Sequence, residues 1–349
     1  MIPIQNIYYM LSYAFQTLQA ENYKDLATEN FHNTAELCAA ILDKGIGIEL
    51  KHGLRRDYVS KSESLSTLQG KLNISESIKT QTMLKKQMIC TYDEFSTNIQ
   101  FNQIIKSTVL LLLKANITNS RKKSLRKLLL FFSDVNEIDL HFVNWNQQYN
   151  RSNQNYQMLI GMCYLVYKGL LTTQNNGTTK LMDFFDGQRM CRLYEKFLLE
   201  YYRKEHPELT ANASQIAWQL DDTENQMLPR MQTDIMLSKN NNILIIDAKY
   251  YSHMTQQQYG IHTLHSNNLY QIFTYVKNRS YQFGEEDNTV SGMLLYAKTE
   301  EEIQPDNVYQ MHGSQISVKT LDLNLPFVEI AEQMDRIVES HFTGVIKAD

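Results

Sequence analysis

The sequence predicts two domains, an α/β C-terminal domain preceded by a mixed α+β N-terminal domain, on three observations. NILIIDAKYY (242 to 251) is apolar on both faces from Ile243 to Ile246, as a covered central strand must be, and turns polar at its C-terminal end. PRMQTDIML (229 to 237) can fold back on it across Ser238 to Asn242. HSNNLYQIFTYVKNR (265 to 279) then carries Leu269, Ile272, Phe273 and Val276 on one helical stripe. The turn-rich TTQNNGTT (172 to 179) is the clearest break in the chain, so the domains are expected at 1–178 and 179–349.

The other elements follow from the same periodicities. Ile4, Ile7, Tyr8, Leu11, Phe15 and Leu18 mark an amphipathic first helix, and Phe31 to Leu54 predicts a second. Residues 66 to 93 mix Ser, Thr and Gln with short apolar alternations at Leu72, Ile74, Met88 and Ile89, which predicts a β-rich insert. Helices are expected over Asn98 to Ala115, Gln154 to Leu171 and MCRLYEKFLLEYYRK (190 to 204). Arg121, Lys122, Lys123, Arg126 and Lys127 precede LLLFF on a further helix, where they read as a solvated face or as a basic patch. SGMLLYAK (291 to 298) and SQISVKTLDL (314 to 323) predict strands, and Leu325 to Phe342 a closing helix. With 5 Pro and no low-complexity tract, no long linker is expected.

Composition bounds the function. A chain of 349 residues with 43% hydrophobic content can bury sizeable cores, and a net charge of −4 means that any nucleic-acid affinity must come from local patches. Cys38, Cys90, Cys163 and Cys191 are scattered without a CxxC pair, which predicts reduced thiols and excludes a zinc finger or a clustered iron–sulfur ligand set. Val109 to Leu113 and Leu128 to Phe132 fall far short of the roughly 20 apolar residues of a membrane span. A cytoplasmic protein with no membrane partner is expected. The nearest approach to a phosphate loop is Gly70-Lys71, but Leu65 stands at the first glycine position and Leu72 at the final Ser/Thr position, so this chain alone is expected to bind no nucleotide.

The chemistry sits at the end of the apolar strand. With a period of two, Asp247 and Lys249 share a face, and folding back places Asp234 opposite Asp247. A partly buried salt-bridge network is one reading. However, two facing carboxylates repel each other more than one lysine can offset, and a hard divalent cation, Mg²⁺ or Mn²⁺, would relieve that repulsion. Lys249 could then orient or deprotonate a water for phosphodiester hydrolysis. On the following helix, Asn268, Gln271 and Tyr275 form a polar line that either supports this site or faces solvent. Glu195, among apolar residues of the 190 to 204 helix, is either an additional metal ligand or an ordinary surface glutamate.

The order Glu195, Asp234, Asp247-Ala248-Lys249, Gln271-xxx-Tyr275 resembles the PD-(D/E)xK nucleases of the RecB-like branch. Thr233 stands where the name-giving proline would be, and the second acid is Asp247, which the pattern allows. IPIQNIYYMLSYAF (2 to 15), LQGKLNISESI (68 to 78), NQIIKSTVLLLLK (102 to 114) and LPRMQTDI (228 to 235) further resemble the McrC family, the nuclease subunits of McrBC modification-dependent restriction systems. The resemblance implies a PD-(D/E)xK restriction-endonuclease-like C-terminal domain behind a domain that couples to a partner ring. It also implies Asp234, Asp247, Lys249, Gln271 and Tyr275 as catalytic residues, a Mg²⁺ site, methylated double-stranded DNA as substrate, and a McrB-like AAA+ GTPase as partner. A ring-binding GTPase activator with a vestigial nuclease site, or a stand-alone RecB-like nuclease, are the alternatives.

Overall fold

A computed structural model of the chain describes residues 2–29, 31–145, 147–149, 154–174, 187–222, 227–251, 254–258, 261–282 and 289–342. In chain order the elements begin with α1 (Ile4–Ala14), α2 (Thr34–His52), β1 (Asp57–Leu65), β2 (Lys71–Leu72), α3 (Ile74–Lys79), β3 (Met88–Ser96), α4 (Gln100–Lys114), α5 (Asn119–Leu129) and α6 (Gln154–Gln174). They continue with α7 (Gly187–Glu205), β4 (Thr210–Asn212), β5 (Gln215–Ile216), β6 (Met231–Gln232), β7 (Ile235–Lys239), β8 (Asn242–Lys249), β9 (Thr255–Gln258) and β10 (Ile261–Leu264). Last come α8 (Ser266–Tyr281), β11 (Thr289–Ala297), β12 (Asn307–Met311), β13 (Ser314–Leu321) and α9 (Phe327–Phe342). No helix among the described residues is long and apolar enough to cross a membrane.

The chain separates into two compact units, Phe31–Phe184 and a second formed by Met1–Asn30 with Phe185–Asp349. This corrects the expectation that residues 1–178 form one domain. An amphipathic stripe states that a helix must be covered but not by what. The stripe of α1 is covered by the C-terminal half: Tyr9 stacks on Phe327 of α9 at 4.5 Å, Tyr13 meets Phe197 of α7 at 5.7 Å, and Asn6 Nδ2 donates to the Leu323 and Leu325 carbonyls at 2.8 Å each. The expected boundary at 178/179 lies outside the described residues.

In the Phe31–Phe184 unit, α2 packs against α4, α5 and α6. The bundle is tied by buried polar groups. Glu36, only 5% exposed, accepts from the Thr118 N–H and hydroxyl at 2.8 Å each, and Arg121 meets Asp43 at 3.1 Å. The basic stretch of α5 therefore commits its first residue, Arg121, to an internal pairing. The insert is a three-stranded antiparallel sheet in the order β1-β3-β2. It departs from expectation in two ways: β1 begins at Asp57, and residues 74 to 79 are helical. Asn73 caps α3 by accepting from the Glu76 N–H, and Glu76 in turn accepts from Asn73 Nδ2 at 2.7 Å. This is a reciprocal cap written in the sequence as NISE.

The other unit is built on a six-stranded mixed sheet, β12-β13-β11-β8-β7-β4. β8 runs parallel to β11 and antiparallel to β7, with Ile235 opposite Ile246 and Lys239 opposite Asn242. Asn240, with φ 53°, makes the tight turn between them, a left-handed conformation asparagine tolerates. Alternate residues of β8 divide between two layers. Ile243 and Ile245 join Ile272, Val276, Leu294 and Tyr296 in the core beneath α8, while Leu244 and Ile246 face the side covered by α7 and α9. Both sets are buried, which is why the strand reads as a continuous apolar run.

Gly292 of β11 fixes how close α8 lies to the sheet. A Cβ there would come within 2.8 Å of Ile272 Cγ1 and Val276 Cγ2 and 3.0 Å of Ile316 Cδ1. Gly292→Ala should therefore destabilise the chain by about 1–3 kcal/mol, the usual cost of overpacking. Equilibrium urea denaturation checks this, and an unchanged midpoint would show that α8 can move aside freely.

Candidate active site

The site forms where β8 ends. Extending the β7–β8 register by one pair beyond Ile235 and Ile246 sets Asp234 opposite Asp247, as the period-two argument required. Asp234 is clamped by an accepted hydrogen bond from the Ala248 N–H to Oδ2 at 2.9 Å. Thr233, buried at the proline position of the resembled motif, donates its N–H to the Ser214 carbonyl at 2.9 Å and takes the Ser214 N–H on its hydroxyl at 3.0 Å. A proline could not make the first of these bonds. Threonine thus anchors the strand that delivers Asp234.

Asp247 is 2% exposed, and its Oδ2 lies 2.7 Å from Lys249 Nζ. That contact is an ion pair without hydrogen-bond alignment, so this buried oxygen receives no directed donor from the described residues. Burial, then the charges of Asp247 and Glu195, push the Asp234 carboxyl up to about 8, with the Ala248 N–H opposing them. Of two acids that share a buried site, one keeps its proton. Burial pulls the Lys249 ammonium down, but Asp247, with Tyr251 and Asp234 adding to it, holds it above its usual value. Lys249 is an ammonium here.

Gln271 and Tyr275 extend this centre from α8. Lys249 Nζ donates to Gln271 Oε1 at 3.2 Å, and Gln271 Nε2 donates to the Tyr275 hydroxyl at 3.0 Å. The spacing of four on a helix brings the two side chains together and fixes the amide so that its oxygen faces the lysine. Asn268 belongs to a second chain: Tyr251 donates to its Oδ1 at 3.4 Å, and its Nδ2 donates to the Tyr296 hydroxyl at 2.9 Å. Its buried position rules out a solvated face. Tyr296 pairs with Lys249 across β8 and β11 and lies close enough for their charges to interact. Sequence reasoning missed Tyr251 and Tyr296. The available signal was an aromatic hydroxyl at the C-terminal end of SGMLLYAK, since the C-terminal ends of neighbouring parallel strands lie together.

Glu195 stands apart from this set. Its Oε1 accepts from the Cys191 thiol at 3.1 Å, and its charge reaches Asp234, yet among the described residues no three His, Cys, Asp or Glu side chains gather as a metal site. The donor chemistry offered is therefore two carboxylates, one with a buried oxygen lacking an aligned donor. That suits Mg²⁺, which is held through one or two carboxylates with water and substrate phosphate completing its shell. The Cys191 thiol is pushed up to about 12 by burial and then by Glu195, which makes it a poor nucleophile.

Fold and site together define an α/β chain with a paired-carboxylate and lysine centre at the C-terminal end of a central strand. It belongs to the McrBC 5-methylcytosine restriction system component family, whose model matches residues 5–297. It is 28% identical over 348 residues, covering 97% of this chain and 98% of the relative, to a protein described as the type IV methyl-directed restriction enzyme EcoKMcrBC of Escherichia coli (strain K12). Its fold is similar to a chain in the refined half-complex from the tetradecameric assembly of Thermococcus gammatolerans McrB AAA+ hexamers with bound McrC. The TM-score is 0.51 at 16% identity, over 97% of this chain and 76% of that one. A second Thermococcus gammatolerans McrBC complex matches at a TM-score of 0.41 and 20% identity, over 58% of each chain.

The raised Asp234 pKa predicts a pH dependence in the metal-free chain. The folded carboxyl holds its proton to about 8 against an ordinary value of 3.8, so the stability that this one group contributes is fully present below 3.8 and is lost as pH rises through about 8. Asp234→Asn, which stays neutral and keeps an acceptor for Ala248, should flatten that loss. Thermal melts in EDTA across this window measure it. Parallel curves for the two proteins would show that the pair is not strained.

Proposed function

We propose that this chain is the DNA-cleaving subunit of a McrBC-type, GTP-dependent restriction complex, and that its sheet-bearing unit is a PD-(D/E)xK nuclease domain. The observation that carries this reading is the pairing of Asp234 and Asp247 in one buried site with the Lys249 ammonium against them, in a chain of a 5-methylcytosine restriction family. Asp234 and Asp247 would hold Mg²⁺ or Mn²⁺. When bound, such an ion supplies positive charge at a phosphoryl oxygen and a more acidic water.

The chain's own residues do the rest. Lys249, with its ammonium against Asp247, is placed to orient or activate a water. Its hydrogens can direct a water or meet the charge that grows on the phosphate oxygens, a contribution that requires no reorganisation if the ammonium is already fixed. Gln271 fixes it, and Tyr275 fixes Gln271. Glu195, held by Cys191 near Asp234, tunes the pair through charge. Double-stranded DNA modified at cytosine is the substrate class that the family description indicates.

The Thermococcus relative is McrC bound to McrB AAA+ hexamers, and we extend that assembly to this chain: a McrB-like ring GTPase is its partner. Nucleotide turnover then belongs to the ring, because the sequence carries no phosphate loop, and this chain stimulates it. With the partner, GTP and Mg²⁺ present, Asp247→Ala and Lys249→Ala should each lower cleavage of methylated DNA by about 10²-fold or more, the scale seen when a fixed electrostatic group is lost. Stimulation of GTP hydrolysis should be unchanged in both. Near-normal cleavage by either variant would remove the assignment of the site, and cleavage without partner or GTP would favour a stand-alone nuclease.

A further inference from the structure

A groove of roughly 710 Å³ opens in the sheet-bearing unit beside β5 and β6. Gln215, Trp218, Gln219, Asp222, Leu228 and Arg230 are among its lining residues. Its walls are rooted in the fold: Ile216 and Met231 are buried in the core beneath α8, and the Gln219 N–H donates to Asn278 Oδ1 of α8 at 2.8 Å. Trp218 packs partly against that same core and donates its indole N–H to the Pro229 carbonyl at 2.7 Å, bridging the two sides. The groove is therefore a preformed surface with a fixed aromatic wall.

Among the described lining residues Arg230 is the cationic side chain, and it is placed to meet an anion. Arg230 is exposed, and no carboxylate or hydrogen-bond acceptor among the described residues engages it. Asp222, the one carboxylate among the described lining residues, has an interaction of its own. Gln215 and Gln219 are exposed and add neutral donors. Position supplies the second argument. Arg230 precedes β6 and lies four residues before Asp234, so even a fully extended chain, at about 3.3 Å per residue, keeps the two within about 13 Å. Phosphates of one DNA strand recur every ~3.4 Å of helix axis, so a duplex with one phosphodiester at Asp234 and Asp247 presents flanking phosphates inside that span.

We propose that this groove is a DNA-backbone subsite: Arg230 contacts a phosphate flanking the scissile one, Gln215 and Gln219 donate to neighbouring phosphate or sugar oxygens, and Trp218 forms the apolar wall. The assignment rests on the nuclease reading for its substrate. Its contacts are to the backbone, so the subsite strengthens binding to methylated and unmethylated duplexes alike.

The test measures binding of the full chain, in EDTA and low salt, to a fluorescently labelled duplex with and without 5-methylcytosine. Arg230→Ala should weaken binding about 5- to 10-fold for both duplexes and reduce the slope of log affinity against log salt by about 1, while Arg230→Lys keeps the slope. In a Trp145→Phe background Trp218 is the sole tryptophan, and its emission should change on adding duplex. Unchanged affinity and slope in Arg230→Ala, or no binding by the unsubstituted chain, overturns the subsite. So does Trp218 emission that ignores DNA and responds to the ring partner, which makes the groove a protein contact. Because binding is read without catalysis, full cleavage by Asp247→Ala together with a lost Arg230 contact would remove the nuclease site and keep the groove. The opposite pattern removes the groove alone.

Discussion

Two carboxylates held face to face under cover are the constraint around which the sheet-bearing unit is arranged. Asp234 and Asp247 cannot both ionise cheaply at short range in a low-dielectric setting. The fold answers with three local devices: the Ala248 N–H on Asp234, the Lys249 ammonium on Asp247, and a proton that Asp234 retains well above the ordinary range of an aspartate. The proton relieves the repulsion for as long as Asp234 stays neutral. The surrounding apolar layers hold the pair in place, with Leu244, Ile245 and Ile246 of β8 and Leu294 and Leu295 of β11 fully buried on the two faces of the sheet.

From that pair outward, each polar group is positioned by the next. Lys249 meets Asp247 and Gln271, Gln271 meets Tyr275, and Tyr275 is seated in the core beneath α8. The reach of this chain depends on the distance between helix and sheet, which the bare Cα of Gly292 sets. A displacement of α8 would carry Gln271 away from the lysine before it touched either aspartate. Packing on the apolar side of α8 and geometry on its polar side are thus one problem, because a single rigid element carries both faces.

Much of this was legible in the sequence because it obeys short periods. Asp247 and Lys249 share a face by strand alternation, Asp234 faces Asp247 by the length of a hairpin, and Gln271 meets Tyr275 by one helical turn. What was not legible depends on distant or backbone partners. Tyr296 reaches Lys249 from a parallel strand almost fifty residues on, and no local pattern predicts which strand will lie beside β8. The Ala248 N–H has no side-chain signature at all. The first helix showed its apolar stripe plainly, but only the fold reveals that Phe197 and Phe327 cover it. In the insert, the cap formed by Asn73 and Glu76 was present in the sequence, yet α3 is a helix of 6 residues, too short for periodicity to stand out against the alternating apolar residues around it.

The protonation of the acidic pair bears on how a nuclease of this design would be controlled. On the proposed reading, the metal-free site is not a vacant cage of two anions; it is a partly neutralised pair in which a proton on Asp234 and the ammonium of Lys249 do some of the work of a cation. Asp234 and Asp247 would hold a divalent ion as two carboxylates, so Asp234 would have to release its proton, while Lys249 lies against Asp247. The cost of releasing that proton would weaken the hold of the protein alone on such an ion. Substrate phosphate oxygens would then supply what the two aspartates lack, since among the described residues no group of three acidic, histidine or cysteine side chains gathers as a metal site. On the proposed reading a two-carboxylate site would couple metal binding to substrate binding, because the residues that hold the ion would be completed by the substrate.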